Sequence, residues 1–567
     1  MGVLKYFFVH LNKHVEYSIR FINYNMASYL PVECIREILE YLYDDTNSLY
    51  SCLLVNRNWC EITIPILWRN PFGRSLKSTR CKMLINTYVS RLKTEEIPSE
   101  LITIPNEVST FNYATFLRVF DCEKILFAFH YWAISISSLR LFIFKLLIQH
   151  LIANSPKFDR IDFKKSMLFS DNIFLFPGAR RSFSKVRNCN FFGEYTKGLI
   201  DSCASVAKDI RYISFRCLEP QHSNVDDDNI TSDSSMDGLA RLIRSQRQLK
   251  KILLSDGRCN TIFKNEIFES LTTQSDTLTV IKFLSLNFHE NFPLKHLLLC
   301  KNLKVLKIVN CKNYGNCIMM AEKLQQFHQL KAITFSSSRL PFELYRKLIS
   351  LAGYSLQTVV LMGKVFAEVS LPNTFTNNSQ VASNPPSNFM LEPFIEMCPN
   401  IRQFLACVNE NQIAYLPSLL RSCRNLKRIS LYDQKYQARS FYSSIRDMQT
   451  INVENLLAEI GRAMPSSLIK FNINMNWKFS AEVFGSFLQN ICDTSSKTTI
   501  LSKDTRKDMR VIRKTQLQRL SFQFCTCMTD EHLEMFYMYP IESLNVLKIR
   551  GAEGIRNAIR IEIEGDW

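Results

Sequence analysis

Leu303-Lys-Val-Leu306-Lys-Ile308-Val-Asn-Cys311 sets aliphatic side chains at i, i+3 and i+5 and closes on a cysteine. Side chains alternate along a strand, so Leu306 and Ile308 share one face, and the stretch reads as a short strand followed by a turn. The pattern recurs on either side. It stands at Leu278-Thr-Val-Ile281-Lys-Phe283, Leu330-Lys-Ala-Ile333-Thr-Phe335 and Leu356-Gln-Thr-Val359-Val-Leu361, at successive spacings of 25, 27 and 26 residues. Further copies begin at Ile210, Leu249, Ile401, Leu426, Leu468, Leu517 and Leu544, and Leu517–Cys525 repeats the closing cysteine. Helical patterns fill the intervals, as at Leu344, Leu348 and Leu351, where Gly353 suits a helix C-cap. One strand and one helix per unit predicts an α/β solenoid, whose units stack because none buries its apolar side alone.

The remaining positions of each strand point outward, and many are basic: Lys304, Lys307, Lys331, Lys427, Arg428 and Arg519. A face with this bias favours an acidic or phosphorylated protein partner. The repeats are expected over residues 206–567, after a helical connector with irregular first repeats at 73–205. Three long spacings mark insertions near 222–238, 373–388 and 495–516. The first carries Asp226-Asp-Asp228 and reads as a solvated acidic loop, the second is rich in Asn, Ser, Thr and Pro, and the third is basic.

At 567 residues the chain exceeds one ordinary core, and a hydrophobic fraction of 46% excludes a largely disordered protein. The net charge is +18, but Lys and Arg are dispersed through apolar segments, which argues against nucleic acid as the partner. The 18 cysteines stand mostly alone at hydrophobic positions and read as reduced core residues of an intracellular protein, cytoplasmic or nuclear. Cys525 and Cys527 form a C-x-C that in a strand would point both sulfurs to one face. Ile125 to Leu139 lacks ionised side chains but is short of a membrane span, so a buried helix is expected. Gly193-Glu-Tyr-Thr-Lys-Gly198-Leu has phosphate-loop glycine spacing but puts Leu199 where the lysine belongs. No metal-ligand spacing, cofactor motif or catalytic constellation emerges, and an enzyme is not expected.

Met26 to Phe72 differs from everything downstream, with six acidic residues against three basic. Ile35, Ile38, Leu39 and Leu42 fall at i, i+3, i+4 and i+7 of a helix after Pro31. Asp44 to Asn47 offer N-cap oxygens to a second helix, and a third follows Asn56, with Trp59 facing inward and Pro65 stopping it. Three helices are too few to bury two tryptophans and this many leucines, so a partner surface is implied. Met26 is expected to be the working start, leaving residues 1–25 as an extension of doubtful relevance; they are not a secretory signal.

Leu30-Pro31, Ile35, Ile38-Leu39, Leu42, Leu49 after an acidic turn, Leu53-Leu-Val-Asn-Arg-Asn-Trp59 and Ile66-Leu-Trp68 together resemble the F-box. With the repeats, the chain resembles an F-box/leucine-rich-repeat protein: a small all-helical F-box at 26–72, then a leucine-rich-repeat solenoid. The resemblance implies docking on a Skp-type adaptor within a cullin-RING complex, an SCF-type ubiquitin ligase that marks a protein substrate for proteasomal degradation. The docking residues it implies are Leu30, Pro31, Ile35, Ile38, Leu39, Leu42, Leu53 and Trp59. A non-ligase repeat scaffold and a basic nucleic-acid-binding repeat protein are the alternatives.

Overall fold

Alternation along each strand decides the architecture, since a strand with one apolar face pairs in parallel with the next and turns that face onto the helices between them. The computed structural model describes residues 30–73, 77–92, 109–133, 140–164, 172–193, 197–217, 231–256, 263, 265–288, 292–315, 326–363, 365, 390–433, 450–493, 516–539, 541 and 543–550. They divide into two units, Met1–Leu249 and Lys250–Trp567.

The first unit opens with helices α1 (Val32–Tyr41), α2 (Thr46–Leu53), α3 (Arg57–Leu67) and α4 (Ser78–Val89), followed by strand β1 (Val119–Asp121) and helix α5 (Cys122–Trp132). Strands β2 (Arg160–Lys164), β3 (Asn188–Phe192) and β4 (Tyr212–Cys217) then add in sequence order, all parallel. Strands therefore begin at Val119, inside the stretch 73–205 expected to be a connector with irregular repeats. The sequence shows an alternating stretch at 157–163, where β2 forms, but disguises the strands on either side by substitution. Leu117-x-x-Phe120-x-Cys122, Phe158-x-x-Ile161-x-Phe163 and Val186-x-x-Cys189-x-Phe191 keep the spacing with aromatic and cysteine side chains, and all nine are buried. Rings take the place of leucines: Phe163 stacks on Phe191 at 5.4 Å, and Phe120 meets Phe158 edge-on at 5.4 Å.

The second unit carries β5 (Lys251–Asp256), β6 (Val280–Leu284), β7 (Val305–Val309), β8 (Ala332–Ser336), β9 (Thr358–Met362), β10 (Gln403–Val408), β11 (Arg428–Asp433), β12 (Thr450–Asn452), β13 (Lys470–Asn474), β14 (Asn476–Lys478), β15 (Arg519–Gln523) and β16 (Val546–Arg550). Ten of them pair in parallel in the order β5-β6-β7-β8-β9-β10-β11-β13-β15-β16, and β12 pairs with β14 apart. Such a sheet is consistent with a solenoid. From β6 to β9 the second and fourth residues of each strand are buried and the other three partly exposed. The residue before each strand extends the ladder. The Lys304 carbonyl accepts from the amides of Lys331 and Ala332, and the Lys331 carbonyl from those of Gln357 and Thr358.

After the strand the chain must turn, and it does so through left-handed residues: Ser285, Asn310, Ser337 and Gly363, at φ 56°, 54°, 47° and 64°. The next residue is drawn inward. Cys311 donates its thiol to the Val309 carbonyl at 3.4 Å, and Cys525 reaches the Met475 carbonyl at 3.3 Å. Cys525 and Cys527 thus lie in the turn beyond β15 and not on a strand, each thiol bonded to its own carbonyl, Cys527 to that of Trp477. The expected acidic loop at 222–238 is helical in its second half, because Thr231–Arg244 forms a helix. Residues 1–25, 373–388 and 495–515 lie outside the described residues, while Gln516 leads into β15. Residues 125–132 of the uncharged stretch lie in helix α5, and among the described residues no helix is long and apolar enough to cross a membrane.

Candidate docking face and candidate partner surface

The N-terminal helices build their own core before they offer a surface. Helix α2 starts on Asp45, whose carboxylate accepts from the Ser48 amide at 3.2 Å and hydroxyl at 2.6 Å. Helix α3 starts on Asn56, whose side chain accepts from the Trp59 amide at 2.9 Å. Pro65 does not stop α3, which runs on to Leu67. A proline withdraws only its own amide, and the carbonyl that loses its donor belongs to Glu61, an exposed residue. Ile35, Leu39, Leu49, Cys52, Trp59, Ile62 and Ile66 close into one cluster, with Leu42, Tyr43 and Leu67 against it.

Burial sorts the eight docking residues read from the sequence. Ile35, Leu39 and Trp59 sit inside that cluster and have no surface to give a partner: they support the face without forming it. Ile38, Leu42 and Leu53 are half-buried, and Leu30 and Pro31 are exposed. Beside Leu30, the open apolar surface comes from residues outside those eight, Tyr41 at 90% exposure and Leu54 at 87%, with Val32, Tyr50 and Val55. On α1, Cys34, Ile38 and Tyr41 follow one another at i, i+4 and i+7, beside the self-packing stripe of Ile35 and Leu39.

Part of the partner surface implied for Met26–Phe72 lies in the chain itself. Trp68 packs on Tyr113 with ring centroids 3.9 Å apart and meets Tyr88 of α4 edge-on at 5.8 Å, while Phe72 stacks on Tyr88. Burial among these rings holds the Tyr88 phenol well above the usual tyrosine range. Arg69 completes the join. Its guanidinium bonds both Glu40 carboxylate oxygens, at 2.9 and 2.5 Å, and its carbonyl accepts from the amides of Arg118 and Val119 at the head of β1. The hydrogen bonds that Arg69 donates to Glu40, above all, raise the Arg69 pKa, against the lowering effect of burial.

The six predicted basic residues fall into two sets. Lys304, Lys331 and Lys427 are lead-in residues, exposed just before β7, β8 and β11. Lys307, Arg428 and Arg519 are outward strand positions. Lys307 stands in register with Lys282 of β6, whose ammonium is held below the usual lysine range by burial first, then by Lys307 and Lys251. Arg428 and Arg519 flank Lys470 of β13, with which each is in register. The sequence reading passed over Lys470, although it fills the third position of the copy Leu468-Ile-Lys-Phe471-Asn-Ile473.

Chemistry elsewhere is muted. Burial pushes the thiols of Cys122, Cys300, Cys311, Cys398, Cys423 and Cys525 up to about 12, the opposite of an activated nucleophile. No group of three or more His, Cys, Asp or Glu side chains among the described residues could hold a metal ion. No curated protein matches the chain. The family model described as F-box-like matches residues 27–74, the segment that folds into α1–α3 and its join to Arg69, so the chain carries an F-box-like domain at its N-terminal helices.

Proposed function

We propose that this chain is the substrate-recognition subunit of an SCF-type cullin-RING ubiquitin ligase. In this reading the F-box-like helices seat on a Skp-type adaptor, and the strand repeats are leucine-rich repeats that hold a protein substrate for ubiquitination and proteasomal degradation. The observation that carries it is the exposed apolar set Leu30, Tyr41, Leu54 and Val55 laid over a closed core in a domain that matches the F-box-like family. F-box domains generally bind adaptors of this type, and an apolar surface left open on a small helical module is the signature of a docking site. The chain itself makes no bond: it raises the local concentration of substrate beside the charged enzyme, and chemistry follows from proximity. Lys304, Lys307, Lys331, Lys427, Arg428 and Arg519 belong to the substrate surface.

Co-purification with a Skp-type adaptor tests the reading. The intact chain captures the adaptor, and replacing Leu30 and Pro31 with alanine, or Tyr41 and Leu54 with alanine, abolishes capture while the fold persists. Capture unchanged in both double variants leaves the N-terminal helices as a cap on the repeats and sinks the ligase reading.

A further inference from the structure

Like charges placed directly opposite on neighbouring strands repel, and a folded chain tolerates them where something compensates. The first unit shows the compensated case. Asp121 and Asp162 are in register on β1 and β2, and both are supplied. Arg160 meets Asp162 at 2.8 Å, and Lys124 stands 3.5 Å from Asp121, which also caps α5.

The second unit shows the uncompensated case. Arg428, Lys470 and Arg519 occupy one register row on three adjacent parallel strands, about 4.8 Å apart. None of the three is ion-paired among the described residues. On these three strands the row just beyond is neutral, Ser430, Asn472 and Ser521, with Lys548 next in register on β16, and the lead-in residues alongside add Arg402 and Lys427 and no carboxylate. The row also ends abruptly, since the register neighbours of its outer members are Gln403 on β10 and Val546 on β16.

We infer that this row is the binding site for a phosphomonoester on a protein partner, so that the substrate is recognised when phosphorylated. The inference rests on the substrate-recognition reading for its biological use and not for its chemistry. Three cations within about 10 Å concentrate charge on one small group. A phosphorylated side chain brings about −1.5 to −2 with three acceptor oxygens, against −1 and two for a carboxylate. Two guanidinium forks around a central ammonium match that group, the forks bonding it in pairs and the lysine acting as a point charge. A nucleic acid would need a longer stripe, because its phosphates continue along the strand, and here both ends of the row are uncharged.

Fluorescence anisotropy on the full-length chain decides it, with degenerate peptide pools fixed at one central residue as phosphoserine, serine or glutamate, and a twenty-nucleotide oligo-dT. The expected result is at least tenfold tighter binding of the phosphoserine pool than of either other pool, and loss of that preference in Lys470→Gln. Because Lys470→Gln removes the central repulsion, its melting temperature holds or rises, which separates lost binding from lost fold. Equal binding of the phosphoserine and serine pools, equal binding of the glutamate pool, an unchanged preference in Lys470→Gln, or tighter binding of oligo-dT through the same row would each overturn the proposal. Adaptor capture, run in parallel, depends on the N-terminal helices alone. Its failure would count against the ligase reading and leave the phosphate site standing.

Discussion

Leu54→Ala against Leu39→Ala separates a docking contact from a supporting one within twenty residues of sequence. Leu54 is 87% exposed in the turn after α2, and Leu39 on α1 is fully buried in the module's core. Fully burying a leucine side chain is worth about 1.5–3 kcal/mol, and alanine retains part of that, so loss of Leu54 from a docked interface costs about 1–2 kcal/mol. That corresponds to about 5- to 30-fold in Kd. Its melting temperature should not move, because the side chain supports nothing in the free chain. Leu39→Ala opens a cavity in a small core and costs about 2–5 kcal/mol of stability. It weakens capture only as far as it unfolds the module. Biolayer interferometry on an immobilised Skp-type adaptor, beside thermal unfolding of each variant, gives both numbers. Adaptor binding by Leu54→Ala within twofold of the intact chain would refute the assignment of the docking face.

Other expectations follow from the same coordinates. Glu40→Ala should lower stability by about 1 kcal/mol in urea unfolding, because the bidentate pair with Arg69 is only about two-thirds screened by protein, and Arg69→Lys should not restore it. Gly461→Ala should cost about 1–3 kcal/mol, since the added Cβ would stand 2.7 Å from the Phe487 carbonyl between helices Glu454–Ala463 and Ala481–Asp493. His532 is buried between the Thr529 amide and the Phe479 carbonyl, and burial first of all holds its pKa below the ordinary value, opposed by the Phe479 hydrogen bond and then by Glu531 and Glu454. The unfolded chain therefore takes up this proton at higher pH than the folded one, so stability fully present above about 6.5 is lost as pH falls from there through the lower folded value. Unfolding midpoints from pH 8 to 5 should fall for the intact chain and flatten in His532→Gln.

The sequence announced the helices of the F-box-like domain because caps and spacing are local. Asp45 and Asn56 are caps by side-chain chemistry alone, and Ile35, Ile38, Leu39 and Leu42 can only be one helical face. What spacing does not say is whether that face turns toward the domain itself or toward a partner. Here Ile35 and Leu39 turn inward, and the open residues Tyr41 and Leu54 lie off the periodic stripe. The repeats were legible wherever aliphatic residues fill them. They vanished at Leu117 and Val186, where aromatic rings and cysteines do the same packing under other names, while at 157–163 the alternation of Phe158, Ile161 and Phe163 stayed visible. The cation row was harder to see for a different reason: Arg428, Lys470 and Arg519 each fill the third position of their repeat but are far apart in sequence, and parallel register makes them neighbours.

Arg69 shows why the F-box-like helices belong to the first unit and do not merely precede it. Its carbonyl receives the amides of Arg118 and Val119, as the Arg118 carbonyl receives those of Asp159 and Arg160, and the Asp159 carbonyl those of Arg187 and Asn188. The end of the docking module therefore occupies the lead-in position of a rung before the first strand. Its side chain meanwhile grips Glu40 on α1, and Trp68 next to it is clamped between Tyr88 and Tyr113. In the proposed ligase reading, an F-box-like domain on a free linker would let a bound substrate wander, diluting its effective concentration at the reacting partner. Hydrogen bonds on one side of Arg69 and an ion pair on the other remove that freedom within the first unit.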